Sequence, residues 1–255
     1  MQRFVWTSAL VTGASSGIGL AMARQLADGG VTTVVVARRR DRLVELADAH
    51  PNVEPLIADL HDSADRARVV ARLSDPARPI DLLVNNAGFG LSGAFHERST
   101  DEHLAQIDLN IDALVALTSA ALGPMRARRR GWVLQVSSLA SFQPGPNAAV
   151  YAATKAFVTS LTESMSQELR GTGVKVTALC PGFTRTEFQD RSGMSGIDRI
   201  PDMAWMSADD VARAGLRAVA SGRVIEIPGL GYKGLAALSG AMPRSLVRRL
   251  TGLGT

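Results

Sequence analysis

The chain has 255 residues, of which 46% are hydrophobic and 20% are charged, and this composition is typical of a globular protein with a substantial core. It excludes a disordered chain, and a formal net charge of +4 spread over many arginines does not by itself indicate a nucleic-acid partner. The single cysteine, Cys180, excludes an intramolecular disulfide and is typical of a reducing compartment, so we expect a cytoplasmic protein.

Metal ions and membranes are also disfavoured by the sequence. No stretch approaches the roughly 20 consecutive apolar residues of a membrane-spanning helix, so we predict no transmembrane segment. The apolar run within residues 1–13 is too short for a signal peptide. The histidines show no spacing typical of metal ligands, so we predict no metal site: they are His50, His61, His96 and His103.

Short apolar segments alternate with amphipathic segments through the first third of the chain. Apolar runs predict strands at residues 8–12, 32–37, 53–58 and 80–84. Amphipathic periodicity predicts helices at residues 20–27, 41–49 and 62–73. The segment 32–37 is β-branched nearly throughout, which is typical of a strand buried on both faces of a parallel sheet.

The same alternation continues to residue 227. A long helix is predicted over residues 101–125, with Thr100 as its cap and a kink near Pro124. A further helix carries Tyr151, and Ser207 opens a helix that ends at Gly222. The remaining strands are predicted at residues 132–137, 174–179 and 224–227.

This alternation of strands and helices predicts an α/β fold, a single Rossmann-type doubly wound domain of about seven parallel strands. No break in composition divides the chain, so residues 1–255 are predicted to form one domain. Residues 186–206 are rich in Gly and Ser and are predicted to form a substrate lid. Residues 229–255 are predicted to form a C-terminal helical extension.

A basic run at residues 126–130 lies at the end of the long predicted helix. A solvated helix end explains it better than a nucleic-acid site, because no aromatic residues are interleaved with the arginines. We therefore predict no nucleic-acid partner.

A glycine-rich loop follows the first predicted strand. In a doubly wound sheet, ligands bind beyond the carboxyl ends of the strands, and glycines let the backbone approach a pyrophosphate there. The helix after the loop would offer free N–H groups and the positive end of its dipole. The residues predicted to bind a dinucleotide here are Gly13, Ser15, Ser16, Gly17, Ile18 and Gly19.

The second predicted strand is followed by Arg38 and Arg39, and the first acidic residue after it is Asp41. A carboxylate at this position would hydrogen-bond a ribose 2′-hydroxyl, whereas a guanidinium can chelate a 2′-phosphate. The arginines therefore predict NADP(H) as the cofactor, and a solvated loop of arginines is the alternative.

Ser138, Tyr151 and Lys155 form a candidate catalytic cluster. Tyr151 and Lys155 are four residues apart, so they would lie on one face of a helix. An ammonium group near a phenol would lower the phenol pKa from about 10, and the preceding loop can bring the serine hydroxyl close. The arrangement is typical of proton transfer near neutral pH. Taken alone, the residues fit a solvated helix with a half-buried tyrosine better, and a neighbouring cofactor site favours catalysis.

The chain resembles the short-chain dehydrogenase/reductase family over essentially its full length, and it is similar to NADP-preferring members related to long-chain 3-oxoacyl and ketone reductases. The matching motifs occur in the family's order: TGASSGIG, Asp59 in IADL, NNAG at residues 85–88, Asn110 in DLN, Ser138 in VSS, YAATK and PGFTRT. The resemblance implies an NADP(H)-dependent oxidoreductase that interconverts a ketone and a secondary alcohol.

The resemblance also implies roles for individual cofactor contacts. Asp59 would bond the adenine amino group, Asn86 would lie along the adenine ribose, and Lys155 would hold the nicotinamide ribose. The backbone after Gly182 and the Thr186 hydroxyl would engage the carboxamide. Thr184 stands where the family often has a small aliphatic residue, which we expect to be harmless. The other expected cofactor contacts are Leu60, Ala87, Gly88, Tyr151, Pro181 and Thr184.

The implied mechanism makes Tyr151 the general acid and base. Ser138 would share the hydrogen bonding of the substrate oxygen, and Lys155 would favour the phenolate that remains after proton transfer. Asn110 would hold a water that links Lys155 to solvent, as the family resemblance implies.

The small-molecule carbonyl or alcohol substrate is expected to be hydrophobic or a 3-oxoacyl group. Specificity should come from residues 89–95, 141–147 and 186–206. Met194, Trp205 and Met206 suit a lid over an apolar ligand, and plain packing is the alternative. The alternative function is a non-catalytic NADP-binding sensor or scaffold, although such proteins typically lack the tyrosine or the lysine.

The segment from residue 229 is apolar at helical spacing and carries Arg244, Arg248 and Arg249. Packing on the body, a subunit contact, or a helix on a membrane surface would each account for it. The first two are favoured because the apolar stretches are short and interrupted by Gly and Pro. We expect a homodimer or homotetramer.

Overall fold

The computed structural model describes residues 4–193 and 200–242. The strands of this part of the chain are β1 (Ser8–Thr12), β2 (Thr32–Ala37), β3 (Val53–Ile57), β4 (Leu82–Asn85), β5 (Gly131–Val136), β6 (Val174–Leu179), β7 (Thr184–Arg185), β8 (Met206–Ser207) and β9 (Ile225–Glu226). Seven of them form one parallel sheet in the order β3-β2-β1-β4-β5-β6-β9, while β7 pairs with β8. The predicted doubly wound, Rossmann-type sheet is confirmed.

Helices connect the strands and cover the sheet. The α-helices are α1 (Gly17–Asp28), α2 (Arg40–Ala49), α3 (Ser63–Ser74), α4 (Thr100–Ile107), α5 (Leu114–Ala127), α6 (Ala149–Glu168), α7 (Phe188–Ser192), α8 (Ala208–Ser221) and α9 (Leu230–Ala241). Side chains of α1, α2 and α8 belong to one buried cluster, and side chains of α3, α5 and α6 belong to a second. The helices therefore form two layers with the sheet between them.

The strands are apolar on both sides because each side faces a helix layer. Along β1, Ala9 and Val11 belong to the first cluster, and Leu10 between them belongs to the second. In the sheet, Val11 lies beside Val35 of β2 and Val84 of β4. The order of the strands reverses between β1 and β4, which is where a doubly wound sheet leaves a crevice for ligands.

The long helix predicted over residues 101–125 is interrupted. A π-helical turn, Asp108–Ala113, separates α4 from α5, and α5 continues past Pro124 to Ala127. Its predicted cap is also wrong by one residue. Ser99 accepts from the backbone N–H of Glu102 at 3.2 Å, and the Glu102 carboxylate accepts from the backbone N–H of Ser99 at 2.9 Å. This reciprocal capping box decides the boundary.

Among the described residues, the stretch Thr100–Ala127 is long and apolar enough to cross a membrane by length and composition. Its inner side packs into the second buried cluster through Leu117, Ala121 and Met125. We therefore interpret it as a helical stretch that packs on the sheet in the protein core.

Arginines of the basic run 126–130 bind groups of the protein itself. Arg128 donates to the carbonyl oxygen of Ile80 at 3.0 Å. Arg130 pairs with Asp81, with 3.2 Å between Nη2 and Oδ2. The run therefore fastens the end of α5 to the loop before β4, which agrees with the structural interpretation of these arginines.

Candidate active site

A cleft of about 850 Å³ opens at the carboxyl ends of the central strands, within the usual size range of ligand sites of roughly 300–1,000 Å³. The cleft lies where the strand order reverses. The predicted site residues that line it are Gly13, Ser15, Ser16, Gly17, Ile18, Arg38, Arg39, Asp59, Leu60, Asn86, Ala87, Gly88, Ser138, Tyr151, Lys155, Pro181, Gly182, Thr184 and Thr186. The chain thus brings together residues from strand ends far apart in sequence.

Gly19 lies behind the cleft surface, in the first turns of α1. It is buried, and a Cβ at this position would clash with the Asn86 amide and the Gly13 carbonyl oxygen. The glycine therefore allows α1 to pack closely against the loop, which is a packing role rather than a surface contact.

The backbone of the glycine loop is held in place by Asn86. Its side-chain amide donates to the carbonyl oxygens of Thr12 at 2.9 Å and Gly13 at 3.3 Å. Gly13 has a φ of +65°, and a Cβ there would lie 2.7 Å from the Asn86 amide nitrogen. The loop presents bare backbone beside the start of α1, so its shape fits the close approach of a pyrophosphate.

Two adjacent arginines after β2 have different surroundings. The Arg38 side chain is 65% exposed, and its Nη1 lies 3.6 Å from Oδ2 of Asp59. Arg39 donates to the Oγ of Ser15 at 3.1 Å and to the Ser15 carbonyl oxygen at 3.0 Å. A third bond, 2.9 Å long, joins Arg39 Nη1 to Oε2 of Glu187. Arg38 is the more accessible cation, and Arg39 joins two walls of the cleft.

His61 is a further polar residue of the cleft wall. Its Nδ1 lies 2.9 Å from Oδ2 of Asp108, and Arg66 donates to Oδ1 of the same carboxylate at 2.9 Å. Burial raises the pKa of Asp108, but the hydrogen bonds from Arg66 and His61 outweigh it and hold that pKa below its usual value. The His61 ring also lies edge-on to Phe89, with 6.2 Å between centroids. The cluster fixes the wall beside Asp59.

At the opposite end, α6 and the end of β5 bring the three candidate catalytic side chains together. The Ser138 hydroxyl lies beside the phenol of Tyr151. Lys155 Nζ donates to the carbonyl oxygen of Val136 at 2.8 Å and lies 5.8 Å from the centroid of the Tyr151 ring. Tyr151 and Lys155 line the same wall, as their spacing of four residues predicts.

Burial dominates the proton affinities of this cluster. It raises the pKa of Tyr151 above its usual value, and the neighbouring Ser138 hydroxyl offsets that rise only in part. Burial also lowers the pKa of Lys155 from 10.5 to about 8. The prediction of a lowered Tyr151 pKa is therefore wrong in this structure. Desolvation disfavours phenolate and ammonium alike, and the ammonium bonds Val136 instead of the phenol.

Asn110 lies in the π-helical turn and is 1% exposed. Its Oδ1 accepts from the backbone N–H of Phe89 at 3.0 Å, and its amide donates to the Phe89 carbonyl oxygen at 2.9 Å. The amide also donates to Oγ1 of Thr154 in α6 at 3.1 Å. Asn110 thus supports the loop after β4 and the catalytic helix from behind, and its role toward a water stays a prediction.

The segment after β6 carries the groups predicted to meet a carboxamide. The first backbone groups after Gly182 have partners within the protein: the Phe183 N–H donates to the Tyr232 hydroxyl at 3.2 Å, and the Phe183 carbonyl oxygen accepts from Met206 at 2.9 Å. The Thr186 hydroxyl lies beside the cleft and donates to a side-chain oxygen at 3.1 Å. Contact between this segment and a carboxamide remains a prediction.

Aromatic rings from the predicted lid lie close to the catalytic end. The Phe188 ring of α7 is 5.5 Å from the ring of Tyr151. Trp205 packs on Phe183, also with 5.5 Å between centroids, which agrees with the packing alternative for this residue. Met194 lies outside the described residues.

The C-terminal extension also reaches the cleft, through Tyr232 and Leu235 of α9. The described part of the extension packs on the body of the protein, which is one of the positions expected for it. Residues 243–255, with their three arginines, lie outside the described part.

Among the residues of the cleft wall that the sequence did not assign to the site are His61, Tyr232 and Leu235. His61 had a usable signal, because it directly follows Leu60. The residues of α9 had none, since only folding brings this helix to the catalytic end.

A family model for short chain dehydrogenases matches residues 7–194. The chain therefore belongs to the short-chain dehydrogenase family, and it is an oxidoreductase. A relative from Haemophilus influenzae, named as a probable NADP-dependent dehydrogenase, is 37% identical over 188 residues. These residues cover 72% of this chain and 74% of the relative.

Solved structures are similar over nearly the whole chain. A short-chain dehydrogenase from Sphingobium yanoikuyae in complex with NADPH is 36% identical, has a TM-score of 0.83, and matches over 92% of both chains. The bulky-bulky ketone specific alcohol dehydrogenase from Comamonas testosteroni is 29% identical, with a TM-score of 0.79. That match covers 94% of this chain and 96% of the Comamonas chain.

Proposed function

We propose that this protein is an NADP(H)-dependent oxidoreductase that interconverts a ketone and a secondary alcohol, with Tyr151 as the general acid and base. The observation that carries the proposal is a single cleft with two ends. One end holds Ser138 and Tyr151 side by side near the buried Lys155, and the other holds adjacent arginines beside a glycine loop. A positioned proton donor and a dinucleotide site are the two parts that carbonyl reduction requires.

The phosphate end supports NADP(H) over NAD(H). Arg38 and Arg39 follow β2, and guanidinium groups suit a 2′-phosphate where a carboxylate would repel it. We assign the 2′-phosphate to these two residues, the adenine to Asp59 and the pyrophosphate to the bare backbone at Gly13. The Haemophilus relative is named as a probable NADP-dependent dehydrogenase, and the Sphingobium structure is a complex with NADPH.

The catalytic end would hold the nicotinamide half. Asn86 is assigned to the adenine ribose, Lys155 to the nicotinamide ribose, and the segment from Gly182 to Thr186 to the carboxamide. When bound, the reduced cofactor would supply the hydride. The remaining assigned contacts are Ser15, Ser16, Gly17, Ile18, Leu60, Ala87, Gly88, Tyr151, Pro181 and Thr184.

In the reductive direction, Tyr151 donates its proton to the substrate oxygen. Its raised pKa keeps the phenol protonated at neutral pH, as an acid requires. The Ser138 hydroxyl adjoins the phenol and can donate a second hydrogen bond to the same oxygen. Lys155, with a pKa of about 8, is mostly protonated at pH 7, and its charge favours the phenolate that remains.

The substrate side of the cleft is largely apolar and aromatic. The side chains that give it this character are Phe89, Leu139, Ala140, Phe183, Phe188, Tyr232 and Leu235. A hydrophobic ketone suits such a wall because its apolar groups leave water on binding. The Comamonas alcohol dehydrogenase is named as specific for bulky-bulky ketones, which agrees with this substrate class. A 3-oxoacyl compound is the second member of the class.

The test is a panel of carbonyl compounds assayed with NADPH and with NADH side by side. We expect oxidation of NADPH with bulky hydrophobic ketones, and slower oxidation of NADH at equal concentration. Turnover of small polar carbonyls alone would overturn the substrate class. Faster turnover with NADH would overturn the cofactor preference.

The alternative function is a sensor or scaffold that binds NADP(H) without catalysis. The same panel separates the two, because NADPH fluorescence reports binding in the absence of turnover. Binding without oxidation of NADPH across the whole panel would favour the sensor. The presence of the Ser138 hydroxyl, the Tyr151 phenol and the Lys155 ammonium in one wall of the cleft supports the enzyme.

A further inference from the structure

Tyr232 of α9 is packed directly on the backbone at the catalytic end of the cleft. A Cβ on Gly182 would clash with the phenol ring of Tyr232, so the ring occupies the space that a side chain at residue 182 would need. Both residues line the cleft together with Tyr151. The wall here is therefore made of a glycine backbone and an aromatic ring supplied from far along the chain.

The Tyr232 hydroxyl bridges two other segments. It accepts from the backbone N–H of Phe183 at 3.2 Å and donates to the carbonyl oxygen of Ala204 at 2.6 Å. On its other side, the Phe183 carbonyl oxygen accepts from the backbone N–H of Met206 at 2.9 Å. The start of the segment that leads to Thr186 is thus held by hydrogen bonds at both its N–H and its C=O.

The helix that carries Tyr232 is itself anchored. Lys233 Nζ lies 3.2 Å from Oε1 of Glu226, a residue of β9 that is 6% exposed. The same strand pairs with β6, and the backbone N–H of Cys180, directly after β6, donates to the Glu226 carbonyl oxygen at 2.8 Å. The phenol of Tyr232 therefore reaches the cleft from a fixed base on the sheet.

We propose that Tyr232 is a positioning residue for the nicotinamide half of the cofactor. By fixing Gly182 and Phe183 against Ala204, it sets the place of the segment that ends at Thr186. The inference rests on the proposed function, which assigns that segment to the carboxamide. It gives the C-terminal extension a defined part in cofactor binding.

The experiment compares two ligands in the wild-type protein and in Tyr232→Phe. NADPH contains the nicotinamide half, and 2′-phospho-ADP-ribose lacks the nicotinamide ring. The substitution keeps the ring on Gly182 and removes two hydrogen bonds of the hydroxyl. We expect the Kd of NADPH to rise about fivefold to tenfold, and the Kd of 2′-phospho-ADP-ribose to change less than about twofold. Calorimetric titration measures both constants without turnover.

Thr177→Val is the matched control. Thr177 donates to the carbonyl oxygen of Arg223 at 2.6 Å, which is the same kind of bond in the same part of the fold but away from the cleft lining. We expect it to leave both dissociation constants within about twofold of the wild type. Equal losses for the two ligands in Tyr232→Phe would show general loosening and overturn the inference. Unchanged or tighter NADPH binding would overturn it too.

A second pair of variants tests the contact between the ring and the glycine. When Tyr232 is present, Gly182→Ala should weaken NADPH binding strongly, because the added methyl group clashes with the phenol ring. The same change should cost less in a Tyr232→Ala background, where the ring is absent. Equal losses in both backgrounds would contradict the packing role. Since these readouts are binding constants, their failure is distinct from the absence of ketone reduction, which would sink the proposed function.

Discussion

The cationic side chains at the phosphate end and at the catalytic end of the cleft differ in their exposure to solvent. The Arg38 side chain is 65% exposed and stands 3.6 Å from Asp59. Lys155 is 6% exposed, and its ammonium is bonded to a backbone carbonyl oxygen. Solvent exposure leaves the first cation accessible to an anionic ligand, whereas burial lowers the pKa of the second to about 8. Binding and proton transfer thus need different degrees of solvation within one cleft.

The largest effect is expected at the buried catalytic end, for the phenol of Tyr151. Tyr151→Phe removes the proton donor and should lower kcat at least about a thousandfold, since positioned acid–base groups contribute about 10²–10⁴ in rate. The Kd of NADPH should stay within about twofold. Stopped-flow oxidation of NADPH and fluorescence titration measure the two quantities. Comparable turnover in the variant would refute the assigned role of Tyr151.

The buried ammonium predicts a pH dependence of stability. Between pH 8 and about 10.5, the folded protein releases the Lys155 proton while the unfolded chain still holds it. The unfolded state then binds more protons, so stability rises with pH across this window and is lost again as the pH falls toward 8. Relative to Lys155→Met, the wild type should gain up to about 3 kcal/mol, since one pKa unit corresponds to about 1.4 kcal/mol.

Urea unfolding of both proteins from pH 7.5 to 10.5 measures this gain. The Lys155→Met variant serves as the reference, because it shares every other titrating group with the wild type. A difference in unfolding free energy that does not change with pH would mean that the Lys155 pKa is close to its ordinary value, and the contrast between the two ends would disappear.

A smaller effect is expected at the exposed cation. Arg38→Asp should raise the Kd of NADPH about 30-fold and leave that of NADH within about threefold, because a charge-assisted hydrogen bond contributes roughly 1.5–3 kcal/mol. Arg42→Asp makes the same charge change in the first turn of α2, away from the cleft lining. Its Kd values should stay near those of the wild type. Equal losses in the two variants would point to net charge alone.

The smallest effect concerns the ion pair across the cleft. Glu187→Gln removes a carboxylate that shares Arg39 with any bound phosphate, so NADPH should bind about threefold more tightly at low ionic strength. The gain should shrink at high salt, which screens partly exposed charges. Weaker binding in the variant would mean that the pair holds the cleft in its binding form.

Local sequence was sufficient for the seven strands of the main sheet, the glycine loop and the Tyr151–Lys155 spacing. Each of these depends on neighbours within one element: β-branched residues favour a buried strand, and four residues bring two side chains to one helix face. The Ser99 cap was not predicted because the neighbouring Thr100 is also of a residue type that caps helices. Only the reciprocal bond with Glu102 separates the two. The π-helical turn at Asn110 had no local signal either.

The sequence by itself determined the fold class, the family motifs and the candidate residues of the site, because these lie in periodic patterns and short contiguous motifs. Tertiary structure alone decided the environments. It buried Lys155 and Tyr151 enough to shift both pKa values, joined Arg39 to Glu187, and placed Tyr232 on Gly182. Desolvation and contacts between distant segments exist only after the chain has packed, so they could not be predicted from the order of the residues.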